Sequence, residues 1–131
     1  MAEHPHAQLV RKGYEAFQRG DMDALRKLMT ADCTQHVPGS HSLSGDYKGQ
    51  DAIVGLYRRL FEETGGSLQV ELQKVLVDGA GHAVAFHRTR AQRGGKHIDM
   101  DECLVFRIVE NKATDLDQCV DDIDKVNDFW T

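Results

Sequence analysis

Glu102 is one of the side chains whose type and position suggest chemistry. Every second residue after it is apolar, namely Leu104, Phe106 and Ile108. This alternation predicts a β-strand in which Glu102 lies on the apolar face. A carboxylate on such a face needs a partner or a raised pKa. Acid–base chemistry on a carbon acid, or attack of water on an epoxide, uses a carboxylate or imidazole held in a dry cavity. Glu102 is therefore a candidate pocket acid, and the alternative is a surface salt bridge at a strand end.

Four further side chains could serve beside it. Tyr14 and Tyr57 lie on apolar helical stripes, where a tyrosine lines a pocket or packs its ring in the core. His87 and Arg88 occupy opposite faces of one strand, and one of them must approach the pocket. Arg88 shares its parity with Val84 and Phe86, so the pattern favours an internal ion pair between Arg88 and Glu102. We predict substrate-binding positions at Tyr14, Tyr57, His87 and Arg88.

The last strand carries a row of acidic residues. Asp115, Asp117, Cys119 and Asp121 share one parity, and Leu116, Gln118 and Val120 share the other. Taken alone, three acids on one face indicate a solvated edge. Asp121 falls close to the end of this strand, where we expect a pocket mouth and a further substrate-binding position.

The elements that must position these groups are read from periodicity and turn residues. Helices are predicted from His4 to Arg19, over a short segment capped by Asp21 that carries Leu25, Leu28 and Met29, and from Asp51 to Glu63. A short strand over Cys33–Val37 precedes a loop over His41–Gly49. Strands then follow from Leu68 to Val77, His82 to Arg90, Ile98 to Val109 and Thr114 to Val120, with a final helical turn or two over Ile123–Trp130. Val75 and Val77 continue on the opposite parity to Val70 and Leu72, which predicts a bulge near Gln73.

Helices followed by consecutive hairpins indicate an α+β fold, with N-terminal helices packed on a curved, mostly antiparallel sheet. A chain of 131 residues is about one domain long, so we assign residues 1–131 to a single domain. A bent sheet covered by a helix leaves a hollow for a small hydrophobic molecule. Ala83, Ala85, Cys103 and Val105 are assigned to the opposite face, which we expect a second copy to cover in a homodimer.

Composition and motifs limit which kinds of partner and cofactor we expect this chain to bind. The net charge of −5 and the scattered Lys and Arg argue against nucleic acid. The chain shows neither a signal peptide nor an apolar run long enough for a membrane span, so we expect a cytoplasmic protein. The three cysteines, Cys33, Cys103 and Cys119, are expected to be reduced thiols packed as small apolar side chains. Metal-ligand spacings and phosphate-binding loops are missing from the sequence, so neither a metal nor another cofactor is expected.

Several segments in order resemble one known family. They are His36-Val-Pro-Gly39, Leu43-Ser-Gly-Asp-Tyr-Lys-Gly49, the helix to Phe61 with Thr64-Gly-Gly66, Leu104-Val-Phe-Arg-Ile108, and Asp122 with Phe129-Trp130. Together they are similar to the SnoaL-like branch of the NTF2-like superfamily, which includes ketosteroid isomerases, polyketide cyclases and epoxide hydrolases. The resemblance implies a cone-shaped α+β barrel, usually dimeric, with a deep cavity.

The resemblance also implies site roles. It marks His36 as a pocket-facing polar residue, for which a structural histidine bonded to the following loop is the alternative. It points the parity of Asp117 inward, which makes Asp117 a candidate general base, although similar sequences carry an aromatic residue there and a histidine at Cys119. The predicted catalytic set is thus His36 with Asp117 or Glu102.

Three functions follow from these expectations. The first is a cofactor-free isomerase, cyclase, dehydratase or epoxide hydrolase acting on a hydrophobic polycyclic or isoprenoid-like molecule. The second is a binding or accessory module that holds a small apolar ligand without chemistry. The third is a structural dimer whose pocket is filled by its own side chains.

Overall fold

The computed structural model describes residues 3–131, and within them four helices pack against one sheet of six strands. The helices are α1 (Pro5–Arg19), α2 (Met22–Lys27), α3 (Gln50–Glu63) and α4 (Ile123–Trp130). The strands are β1 (Met29–Val37), β2 (Gly45–Lys48), β3 (Gln69–Val77), β4 (His82–Arg93), β5 (Lys96–Val109) and β6 (Lys112–Val120). The expected α+β class is confirmed. No helix in this part of the chain is long and apolar enough to cross a membrane.

The sheet has the order β2-β1-β6-β5-β4-β3. All neighbouring strands run antiparallel except β1 and β6, which are parallel. The register of β3 against β4 shifts between Leu72 and Lys74, which confirms the predicted bulge at Gln73. The bulge increases the local twist and bends the strand. The sheet is therefore curved, with a concave face that can hold a cavity.

Two long helices close the concave face. Helix α1 begins at Pro5 and ends at Arg19. Gly20 caps its C-terminal end in the left-handed backbone conformation that glycine adopts readily. Helix α1 packs on β3 and β4, whereas α3 packs on β1 and β2. The stripe of α3 predicted from periodicity includes Ile53 and Leu56, which are fully buried. The two helices thus cover opposite ends of the concave face, and the centre of that face lies beneath the place where α1 and α3 meet.

Two local predictions were wrong. Met29 begins β1, because its backbone joins the parallel pairing of β1 with β6, instead of ending the second helix. The segment 45–48 within the predicted loop forms the edge strand β2, in which Tyr47 lies opposite Gln35. This strand was missed because its four residues follow a run of Ser and Gly and show too little alternation.

Candidate functional site

A cavity of about 150 Å³ lies between the concave face of the sheet and helices α1 and α3. Most of its walls are apolar. They include Leu9, Val10, Phe17, Leu25, Leu56, Leu60, Leu68, Ile98, Leu104, Phe106 and Leu116. The polar side chains among its lining residues are few, which is the usual composition of a small-molecule site.

Tyr14, His87 and Glu102 form a hydrogen-bonded chain on one wall of this cavity. The Tyr14 hydroxyl lies 2.6 Å from His87 Nδ1. His87 Nε2 lies 3.1 Å from Glu102 Oε1. Helix α1 supplies the tyrosine, and the direct pairing of His87 with Glu102 across β4 and β5 brings the other two together. The side chains of His87 and Glu102 are only 5% and 7% exposed, so the contact is largely shielded from solvent.

Burial keeps the Tyr14 hydroxyl protonated and therefore able to donate a hydrogen bond. Desolvation raises the pKa of Tyr14 far above its usual value, and the nearby Tyr57 and Glu102 raise it further. Tyr14 therefore keeps its proton and can donate a hydrogen bond to His87 Nδ1 in the tautomer that leaves this nitrogen unprotonated. With Nδ1 as the acceptor, the neutral imidazole carries its proton on Nε2 and donates to the Glu102 carboxylate.

The two carboxylate oxygens of Glu102 have different surroundings. Oε1 receives the His87 N–H, the Thr89 hydroxyl at 3.1 Å and the Gln118 amide N–H at 2.9 Å. Oε2 makes no hydrogen bond to any side chain or backbone group within residues 3–131. The three contacts at Oε1 hold the Glu102 carboxyl group in one orientation. The second oxygen is left as an acceptor for a proton or a donor on a bound molecule.

A second polar pair lines the cavity. The Tyr57 hydroxyl on α3 donates to Gln35 Oε1 on β1. Burial raises the pKa of Tyr57, which keeps it a donor. Gln35 is 4% exposed, and its Nε2 has no hydrogen-bond acceptor in the part of the chain that the structure describes. Its N–H groups can therefore donate to an oxygen of a ligand.

The structure brings Tyr14, Tyr57, His87 and Glu102 to the cavity, but it turns the other two predicted catalytic residues outward. The inward placement of His36 is wrong, because the neighbours Gln35 and Val37 fill that face of β1. His36 Nδ1 instead lies 2.7 Å from Asp46 on the edge strand, with 49% of its side chain exposed.

Asp117 is also misplaced by the sequence prediction. It is exposed on the outer face of β6, while its neighbours Leu116 and Gln118 face the cavity. The acidic parity of this strand is thus the solvated one, as the residues alone indicate. Asp121 lies on that exposed side, beyond the end of β6, and does not line the cavity.

The predicted pair of Arg88 with Glu102 does not form. Arg88 is on the outer face of β4, where its guanidinium lies 2.6 Å from Asp99 and 3.1 Å from Asp101. Ala83 and Ala85, which we assigned to the outer face, are buried on the inner one, and the 39% exposed Phe86 is outside. The faces of β4 were exchanged because the larger apolar side chains were taken as the buried ones.

Three polar cavity residues on the strands were missed, namely Gln35, Thr89 and Gln118, and His41 of the loop after β1 also lines the cavity although it was expected to be solvated. Each of the three strand residues shares its parity with a residue that faces inward: Gln35 with Val37, Thr89 with His87, and Gln118 with Leu116. Strand parity was therefore the signal that could have found them. Within residues 3–131 there is no group of three or more His, Cys, Asp or Glu side chains arranged to hold a metal ion.

Comparison with known proteins gives consistent matches. The family model described as the SnoaL-like domain matches residues 10–116. An uncharacterized protein of Mycobacterium tuberculosis is 32% identical over 99% of both chains. The structure of Bal32a, from a soil-derived mobile gene cassette, is 35% identical and superposes with a TM-score of 0.94 over 97% of both chains. An NTF2-like protein of unknown function from Burkholderia pseudomallei is 19% identical, with a TM-score of 0.86 over 98% of this chain and 99% of that one.

Proposed function

This chain belongs to the SnoaL-like domain family of NTF2-like proteins, and on that premise we propose that it is an acid–base enzyme acting on a small hydrophobic molecule. Its own side chains supply the chemistry, as an isomerase, cyclase, dehydratase or epoxide hydrolase. The observation that carries the proposal is the free Oε2 of Glu102, a carboxylate oriented by three donors beside an apolar cavity.

Glu102 is the general base in this proposal. Oε2 takes a proton from a C–H group, or from a water molecule in the hydrolytic variant, and an isomerase then returns that proton to a second position of the substrate. His87, Thr89 and Gln118 act on the base through Oε1 and are positioning residues. The free N–H groups of Gln35 are suited to an oxygen that gains negative charge in the reaction.

The size of the cavity limits the substrate. An apolar cavity of roughly 150 Å³ in another protein holds one benzene ring. The cavity of this chain is of that size, at about 150 Å³. The buried part of the substrate is therefore proposed to be a single ring or a short branched chain, which is smaller than the polycyclic molecule expected from the sequence.

We test the proposal with 5-nitrobenzisoxazole, a flat molecule of two fused rings whose smaller, isoxazole ring carries the acidic C–H group. A base removes the C–H proton of the isoxazole ring, the N–O bond breaks, and the ring opens to a single coloured phenolate that carries a nitrile group. We expect the wild-type chain to accelerate this reaction and Glu102→Gln to lower kcat/KM by about 10²-fold or more. The measurement is initial rate against probe concentration, with circular dichroism to verify folding of each variant.

Two outward-facing residues provide matched controls. Asp117→Asn removes a carboxylate from the neighbouring strand, and His36→Ala removes the imidazole that sequence considerations favoured. Both should retain the wild-type rate within about twofold, since neither side chain lines the cavity. The proposal fails if Glu102→Gln keeps the wild-type rate. Binding of the probe to the wild-type chain with no turnover would indicate the ligand-binding module instead.

We also infer that two copies of the chain pair through the outer face of the sheet. Leu76 and Phe86, which are 48% and 39% exposed, lie there beside Val84 and Val105. Exposed apolar side chains that adjoin one another on a sheet are typical of an interaction surface. A homodimer related by a two-fold axis would cover this patch with its own copy.

A further inference from the structure

Two polar atoms without a partner face the cavity from different strands. They are Oε2 of Glu102 on β5 and Nε2 of Gln35 on β1, and neither forms a hydrogen bond within residues 3–131. In this part of the chain, the unpartnered side-chain atoms that are sealed from all accessible space are His6 Nδ1 and His41 Nε2. The free atoms of Gln35 and Glu102 therefore touch the open space of the cavity that both residues line.

The strand register sets these two atoms apart. Gln35 is aligned with Leu116 on β6, and Leu116 lies opposite Phe106 on β5. Glu102 is four residues from Phe106. The Cα atoms of Gln35 and Glu102 are therefore separated by roughly 13 Å along the strands and by about 10 Å across two strand spacings. Side chains leave a sheet roughly perpendicular to it, so they shorten this gap only in part, and each free atom meets a different part of a bound molecule.

The charges around the cavity select uncharged molecules. Within residues 3–131, none of the side chains that line the cavity belongs to Lys or Arg. His87 uses both ring nitrogens in contacts with Tyr14 and Glu102. Burial lowers the pKa of His41, which keeps this imidazole uncharged near neutral pH. A carboxylate or phosphate group of a ligand would lose its hydration here without gaining a cationic partner, which is costly.

We propose that the substrate is an uncharged molecule with one six-membered ring, whose acidic C–H group and whose oxygen acceptor lie at opposite positions of that ring. Opposite positions give the widest separation that one ring offers, as the placement of Glu102 and Gln35 requires. This inference rests on the proposed function, from which it takes Glu102 as the base and a single ring as the buried part of the substrate.

The arrangement narrows the reaction to an isomerisation of a conjugated ring. The C–H bond breaks, and its proton passes to Oε2 of Glu102. The electron pair of that bond is shared through the ring with the oxygen that accepts the N–H of Gln35. The proton then returns from Glu102 to another position of the same molecule, so no second reactant is needed.

The test measures the binding of stable one-ring probes to the full chain by isothermal titration calorimetry. In 4-methoxyphenol, the hydroxyl can donate to Glu102 while the ether oxygen at the opposite position accepts from Gln35. The isomers 2-methoxyphenol and 3-methoxyphenol carry the same two groups closer together. We expect 2-methoxyphenol to bind at least about tenfold more weakly than 4-methoxyphenol, because it can satisfy only one of the two protein atoms and loses one hydrogen bond.

A second set of probes tests the charge. The uncharged 4-methoxybenzyl alcohol is compared with the anionic 4-methoxybenzoate and the cationic 4-methoxybenzylamine, which are similar in size. We expect the alcohol to bind most tightly and the benzoate to bind at least about tenfold more weakly, since no cation in the cavity compensates its lost hydration.

Gln35→Glu is the variant that isolates the oxygen end of the site. The new carboxylate can still accept the Tyr57 hydroxyl, but it has no N–H group to donate. We expect this variant to bind 4-methoxyphenol about tenfold more weakly and to lose the preference for this isomer. Gln69→Glu makes the same change at an exposed position of β3 and should bind like wild type. Gln35→Met, which adds no charge, replaces Gln35→Glu if circular dichroism shows that the latter does not fold.

Equal affinities for the three methoxyphenols, or unchanged binding by the Gln35 variants, would overturn the assignment of the oxygen end. Tighter binding of the benzoate or of the benzylamine than of the alcohol would overturn the uncharged class. These probes do not react, so their affinities test the ligand class separately from the chemistry. A wild-type rate of Glu102→Gln toward 5-nitrobenzisoxazole would instead end the acid–base proposal.

Discussion

At the scale of single residues, the orientation of one carboxylate decides what the cavity can do. Glu102 could be assigned to the inner face from sequence, because Leu104 and Phe106 share its parity and are apolar. His36 and Asp117 were assigned to the wrong face, because the resemblance was followed against strand parity, and a resemblance between sequences does not state which face a polar residue takes. Val37 and Leu116 share the parity of Gln35 and Gln118 and mark the inner face, although these two polar residues interrupt the apolar pattern near the site.

His41 gives a prediction about pH. Burial lowers the pKa of His41 in the folded chain, and its Nδ1 accepts the backbone N–H of Leu43 at 3.1 Å. The unfolded state then binds a proton more readily than the folded state. The free energy of unfolding should therefore fall as the pH drops below about 6.5, the usual histidine pKa, and stop falling below the folded pKa.

His41→Asn should flatten this fall, since its side-chain oxygen can accept the same N–H without binding a proton. Urea denaturation at several pH values between about 7.5 and 5 measures the effect. His97→Asn, on an exposed strand position, is the control and should leave the fall unchanged. An equal flattening by both variants would show that His41 is not its source.

At the scale of elements, the bulge and the alternation of small and large side chains shape the concave face. The bulge at Gln73 was predictable, because the apolar positions of β3 change parity there. The facing of β4 was not, because buried Ala83 and Ala85 are smaller than the outward Val84 and Phe86. Small residues on the inner face of β4 give the helices room to approach the sheet. The size of an apolar side chain was therefore a poor predictor of which face of β4 is buried.

The turn between β3 and β4 gives a prediction about stability. Gly81 has a φ of +117°, and a Cβ atom there would lie 2.8 Å from the carbonyl oxygen of Ile108. Gly81→Ala should lower the free energy of unfolding by more than about 1 kcal/mol, since both the backbone and the contact oppose it. Urea denaturation followed by circular dichroism measures the change.

Gly55 provides the matched control. It lies inside α3, and a Cβ atom there would contact nothing within 4 Å. Gly55→Ala should raise the free energy of unfolding by about 0.5–1 kcal/mol, because alanine favours the helix. A Gly81→Ala chain as stable as wild type would show that the strand turn relaxes without a penalty.

At the scale of the whole molecule, the sheet presents a cavity on one face and an apolar patch on the other. The overall fold was within reach of sequence reasoning, since three helices and consecutive hairpins are visible as periodicity. The position of the cavity walls could not be predicted from the sequence, because it depends on how α1 and α3 meet over the sheet. The order of the strands, including the parallel pairing of β1 with β6, is likewise a long-range property.

The outer patch gives a prediction about assembly. Phe86→Lys places a charge in the centre of the proposed dimer surface and should shift the chain from dimer to monomer in sedimentation analysis. The control is Arg90→Glu, at a residue on the same face of β4 that lies beside the charged Glu71 and Asp99. This variant should keep a larger dimeric fraction than Phe86→Lys. A wild-type chain that sediments as a monomer at all concentrations would contradict the pairing.

We expect Glu102, and not an outward-facing group, to meet the molecule in the cavity. The most direct measurement is the carboxyl carbon NMR signal of Glu102, assigned with Glu102→Gln, during titration with 5-nitrobenzotriazole, a stable analogue of the probe. We predict that the Glu102 signal moves with saturation while the Asp117 signal stays in place. A Glu102 signal that is unchanged at saturation, with movement of Asp117 instead, would contradict the claim.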